Sequence, residues 1–143
     1  YTTIINGSGS AVDTIFNVTG GTLNINRTTI SNFTVGSSSS SGSIILATSS
    51  AKVTASYLKV TGVNANGYSL FYANASTMSM TDCEITAGTV TSTFNAIFFN
   101  EKSTLTITNG TINANDTRVV YEVGDTSSAT TTITGTTIIG SAS

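Results

Sequence analysis

A six-residue pattern recurs five times along the chain and leaves few folds open. It first appears as Gly21-Thr22-Leu23-Asn24-Ile25-Asn26 and returns at residues 51–56, 76–81, 103–108 and 129–134. Polar and apolar residues alternate in each copy, which is the period of a strand with one buried face. The copies start 25 to 30 residues apart, a spacing that marks stacked structural repeats. One copy has no means of burying its own apolar side, whereas a stack of copies does.

Stacking predicts columns. Leu23, Val53, Met78, Leu105 and Thr131 form one inward column, and Ile25, Ala55, Met80, Ile107 and Ile133 form a second. A further strand follows a tight turn and carries Ile30, Val60, Ile85, Ile112 and Ile138, each nine residues after its repeat start. Ile4 is expected to extend that column at the beginning of the chain. A third, more apolar strand precedes each repeat: Thr14-Ile15-Phe16, Ser43-Ile44-Ile45-Leu46, Ser69-Leu70-Phe71-Tyr72, Ala96-Ile97-Phe98-Phe99 and Val119-Val120-Tyr121. Three strands per repeat make a triangular coil. The chain therefore reads as one all-β domain over residues 1–143, with repeats starting near 21, 51, 76, 103 and 129. The expected fold is a right-handed parallel β-helix (a β-solenoid) of about five coils. No helix is predicted. The absence of Pro agrees, because nearly every strand N–H must pair with a neighbouring coil.

Segments such as Ser103-Thr104-Leu105-Thr106-Ile107-Thr108-Asn109-Gly110-Thr111-Ile112 resemble the broad pectate-lyase-like family of right-handed β-helices. The resemblance spans almost the whole chain as architecture, and fold does not carry function with it. Polysaccharide lyases and hydrolases of that family use clustered Asp residues, often with Arg or Lys. Here Asp82 and Glu84 are expected to point outward. Lys59 stands in the column of Glu84, one coil earlier and about 4.8 Å away. No second acidic column flanks them, so they read as a stacked surface ion pair. Asp13, Asp116, Asp125, Glu101 and Glu122 read as solvated loop charges. The chain has no His, the usual general base near neutral pH. Cys83 is the single Cys and reads as a small buried hydrophobe. The Gly7–Asp13 loop offers one carboxylate, too few oxygen ligands for calcium. The chain is read as non-enzymatic, without metal or cofactor.

Composition narrows the partners. Ser and Thr make up about a third of the chain, yet 38% of residues are hydrophobic and mean hydropathy is +0.20, which argues against disorder. Only 8% of residues are charged and the net charge is −2. Nucleic acid is thereby an unexpected partner, and no apolar run is long enough for a membrane span. Asn-x-Ser/Thr sequons at Asn6, Asn17, Asn26, Asn32, Asn74, Asn109 and Asn115 are candidate N-glycan acceptors. The outward columns of the first strand type are rich in Thr, and flat Thr-x-Thr arrays on a β-helix resemble those of ice-binding proteins. Lys52, Asn24 and Asn26 interrupt them. The apolar third face suggests lateral packing through Phe71, Phe98 and Tyr121. Thr2-Thr3-Ile4-Ile5 resembles Thr136-Thr137-Ile138-Ile139, so the chain starts and stops in the same phase of the coil. Ile4, Ile5, Ile138 and Ile139 are the expected end-stacking interface, with self-association or further coils as the partner. The resulting functional expectation is a structural subunit or segment of an extracellular or cell-surface fibre, appendage or adhesin. A carbohydrate-binding or carbohydrate-cleaving β-helix is the alternative, and an ice-binding protein the third reading.

Overall fold

The computed structural model describes residues 1–91, 94–124 and 128–140. After β1 (Thr3–Ala11) come five coils of three strands each. The first two coils are β2 (Phe16–Thr19), β3 (Thr22–Asn26), β4 (Thr28–Val35), then β5 (Ile45–Thr48), β6 (Lys52–Ser56), β7 (Lys59–Ala65). The third is β8 (Ser69–Asn74), β9 (Thr77–Thr81), β10 (Glu84–Val90), and the fourth is β11 (Ala96–Glu101), β12 (Thr104–Thr108), β13 (Thr111–Asn115). The fifth is β14 (Arg118–Val123), β15 (Thr130–Thr134) and β16 (Thr137–Gly140). No described residue is helical.

The strands assemble into three parallel sheets. Sheet A orders β1-β4-β7-β10-β13-β16, sheet B β2-β5-β8-β11-β14, and sheet C β3-β6-β9-β12-β15. Each coil thus runs B to C to A, and each strand pairs with its counterpart one coil along. The chain is a parallel β-solenoid. Right-handed winding is the hand that parallel strand–crossover–strand connections overwhelmingly adopt.

The predicted sheet C columns are present residue for residue. Leu23 pairs Val53, Val53 pairs Met78, Met78 pairs Leu105 and Leu105 pairs Thr131, with Ile25 to Ile133 in step beside them. Sheet A corrects one member of its column. Ile5, and not Ile4, pairs with Ile30, and the column continues through Val60, Ile85 and Ile112 to Ile138. Ile4 pairs with Thr29 and is exposed, because one step along a strand reverses the face. In sheet B the inward column is Phe16, Ile45, Phe71, Phe98 and Val120.

The corner between sheets C and A has a left-handed residue in every coil, and in the fourth coil Gly110 follows Asn109 with a φ of 75°. Arg27, Tyr57, Asp82 and Asn109 have φ of 49°, 54°, 52° and 57°, and Gly135 has 66°. Positive φ is uncommon for non-glycine residues, so its repetition at one place shows that the turn itself demands it. The next residue points back into the corner. Thr28 and Thr136 hydroxyls donate to the carbonyls of Asn26 and Asn109, and the Cys83 thiol donates to Thr81 O at 3.4 Å. Cys83 is therefore a buried corner residue, and burial pushes its thiol pKa up. At Gly110 of the same column a Cβ would lie 2.1 Å from Cys83 O, which leaves room for glycine alone.

The corner from A to B carries the longer loops. Asp13 ties the Ser-rich one down: its carbonyl accepts the Gly36 N–H at 2.9 Å and its Oδ1 the Ser38 N–H at 3.2 Å. Ser40 O in turn accepts the N–H of Tyr68 at 2.6 Å. The core fills the tube through the middle coils, where Ile30, Val53, Met80, Ile85 and Leu105 are fully buried. It opens at the last coil, where Ile133 and Ile138 are 38% and 49% exposed.

Candidate functional site

The main cluster of charged side chains lies where sheet C turns into sheet A. The corner residues Arg27, Tyr57 and Asp82 stack one above another. Beside them runs the outward column Thr29, Lys59, Glu84. Together with Thr2 and Leu58 they line a shallow groove of about 270 Å³. The Arg27 guanidinium sits 4.9 Å from the centre of the Tyr57 ring, and that ring is 51% exposed. Lys59 Nζ stands 3.1 Å from Glu84 Oε2, in the register the sequence implies. Both side chains are more than half exposed, so water screens the pair and it contributes about 0–1 kcal/mol. Asp82 is a corner residue and not a strand residue, since its φ of 52° takes it out of the pleat. The groove offers hydrogen-bonding charges of both signs around one aromatic ring. Among the described residues, no three His, Cys, Asp or Glu side chains gather as a metal would require.

The outer face of sheet B differs from expectation. Phe71 and Phe98 point inward and are buried, their rings stacked with centres 4.9 Å apart. They belong to the core and not to a lateral face. The outward residues are Leu46, Tyr72, Phe99 and Tyr121. Tyr72 and Phe99 are 7% and 4% exposed because the chain covers them itself. Tyr68 and Phe94, both from loops at the A-to-B corner, pack edge-on to each other at 4.7 Å. Both also contact Phe99, and Phe94 contacts Tyr121. This is a second small hydrophobic core outside the tube. Glu101, expected as a loop charge, ends β11 and accepts hydrogen bonds from the Tyr72 hydroxyl and the Asn74 amide. Burial, reinforced by the adjacent Glu101 carboxylate, pushes the Tyr72 phenol well above its ordinary pKa.

A polar patch that sequence reasoning missed lies at the last coil. The inward column Val18, Ala47, Ala73, Asn100, Glu122 changes from apolar to polar. Asn100 is fully buried and its Nδ2 donates to Thr131 Oγ1 at 3.0 Å and Thr130 O at 3.2 Å. Glu122, also expected as a loop charge, lies over it, with Oε1 at 3.5 Å from the same nitrogen. A switch of residue type down a column that is otherwise Val and Ala is the signal that would have found it. Asp125 lies outside the described residues.

The sequons fall at different depths. Asn6, Asn17, Asn26, Asn32, Asn109 and Asn115 are exposed. Asn74 is half-buried, with its amide committed to Glu101. The end residues split as well: Ile5 and Ile138 face inward, whereas Ile4 and Ile139 pair with the outward Thr29 and Asn113. No protein-family model, no curated protein and no solved structure matches this chain.

Proposed function

We propose that the chain is a structural segment of an extracellular or cell-surface fibre, appendage or adhesin, and that its solenoid is extended by further coils. The observation that carries this reading is the apolar edge of the last coil. Ile133 and Ile138 continue fully buried columns, yet stand 38% and 49% exposed. Such an edge is a template for another strand. Sheet A holds six strands and the other two five each. Further coils of the same chain or a second copy stacked on this edge would each cover it. The three-strand coil supports kinship with the pectate-lyase-like β-helices. The exposed sequons suit a glycan coat in a secreted setting.

Amide hydrogen exchange tests the proposal. In the protein with its flanking sequence, β14, β15 and β16 are expected to exchange as slowly as β9 and β12. Exchange as fast as in isolated residues 1–143 refutes it.

A carbohydrate-binding reading has one observation in its favour: the exposed Tyr57 ring beside Lys59 and Glu84. Titration with acidic and neutral oligosaccharides distinguishes the two readings. Saturable binding lost in Tyr57→Ala, or any cleaved product, would favour the carbohydrate reading.

A further inference from the structure

Sheet C carries a surface unlike the other two. Its five strands are all five residues long and pair one to one through every junction. Sheet A, by contrast, breaks register at several pairings. The outward positions of sheet C therefore form an unbroken grid of three columns and five rows. Ten of the fifteen positions are Thr, two are Ser, two are Asn, and the only charge is Lys52. Every one of them is exposed or half-exposed. No side-chain hydrogen bond joins Thr104, Thr106, Thr108 or Thr132, or any other hydroxyl of the grid, to another described residue. Sheet B, in contrast, hides its outer face under Tyr68 and Phe94.

Strand geometry sets the spacing of the grid. Rows lie about 4.8 Å apart along the solenoid and columns about 6.6 Å apart along each strand, so the face measures roughly 19 by 13 Å. The β-branched Thr is stiff at χ1, which holds hydroxyl and methyl in fixed alternation on a sheet that is itself rigid. A pre-ordered array loses little freedom when it binds something equally ordered. A soluble surface normally mixes charges of both signs over about a quarter or more of its positions; one in fifteen is far below that. The face also has no aromatic ring, the group on which sugar rings stack. Its chemistry fits a partner that is a two-dimensional lattice of uncharged hydrogen-bonding groups with no ring to stack.

We infer that the outer face of sheet C binds ice, its Thr hydroxyls anchoring and its methyls spacing a sheet of ordered water. This stands apart from the extension of the solenoid ends, which involves other residues.

Thermal hysteresis and inhibition of ice recrystallisation by the purified protein test it. The wild-type chain is expected to facet ice crystals and lower the growth temperature below the melting temperature. Thr106→Tyr, in the central column of the grid, should abolish most of that gap. Lys52→Thr should widen it, because it completes the first column. Thr86→Tyr, on sheet A, should leave it unchanged. Circular dichroism and melting temperature check that each variant keeps its fold. Absence of hysteresis in both wild type and Lys52→Thr overturns the inference. So does activity that survives Thr106→Tyr or falls with Thr86→Tyr. Sedimentation showing that the face pairs two copies, a pairing lost in Thr106→Tyr, would likewise overturn it.

Discussion

Ile85 and Ile138 occupy one inward column of sheet A, two coils apart, with Ile112 between them. They have the same side chain and the same strand environment, and differ in whether a coil lies above. Ile85 is 1% exposed and Ile138 is 49% exposed. Replacing Ile85 by Ala removes three buried carbons, about 2.4 kcal/mol of transfer free energy at ~0.8 kcal/mol each. The cavity it leaves brings the loss to about 3–4 kcal/mol, within the range for such truncations. At Ile138 about half of the transfer term applies and the space opens to water, so the loss should be about 1 kcal/mol. Urea unfolding of residues 1–143 followed by circular dichroism and tyrosine fluorescence measures both, provided the two transitions coincide. With flanking coils present, the Ile138→Ala loss should rise toward that of Ile85→Ala. Equal losses in the isolated 143 residues would refute the reasoning, since they would mean that the edge is already covered.

Four further outcomes are expected. Gly110→Ala should destabilise by about 1–3 kcal/mol or more, because its φ of 75° and the nearby Cys83 carbonyl both oppose a side chain; Gly21→Ala, with open space around it, should cost far less in the same urea titration. A double-mutant cycle on Lys59 and Glu84 should give a coupling of about 0–1 kcal/mol that vanishes in high salt. Stability should decline above about pH 10, because the Tyr72 phenol ionises more readily in the unfolded chain than in the fold: its contribution is full below the unfolded pKa and is lost as pH rises toward the folded one. Tyr72→Phe should flatten that decline in an alkaline urea series. After expression through a glycosylating secretory route, mass spectrometry should find glycan on Asn17 or Asn109 and none on Asn74, whose amide is engaged by Glu101.

The columns of sheet C were legible because alternation and spacing say the same thing five times over. Where alternation stops, so does legibility. Thr2-Thr3-Ile4-Ile5 places two isoleucines side by side, and only the pairing with Thr28 to Ser31 decides that Ile5 faces inward. The run Ile97-Phe98-Phe99 has no period of two, so its parity could not be read, and Phe71 and Phe98 were expected on an outer face they do not share. Tyr68 and Phe94 sit in loops, where no periodicity marks a residue as covering a sheet. Asp82 was expected to point outward, but its left-handed φ was not legible because residue type alone does not encode such a corner. Lys59 and Glu84 were found correctly, since a shared strand position one coil apart fixes their distance. Glu101 and Glu122 lie at the ends of strands, where a charge is also what a loop would carry. Asn100 was overlooked because a single polar residue in an apolar column stands out only once the column is aligned.

An electron cryomicroscopy map of the protein purified from its natural source tests the central claim most directly. The account predicts strand density about 4.8 Å apart that runs past β16 without a break, with a sheet B strand on β14 and a sheet C strand on β15. A map in which the ladder stops at Gly140, with Ile138 facing solvent or a non-solenoid cap, would contradict it.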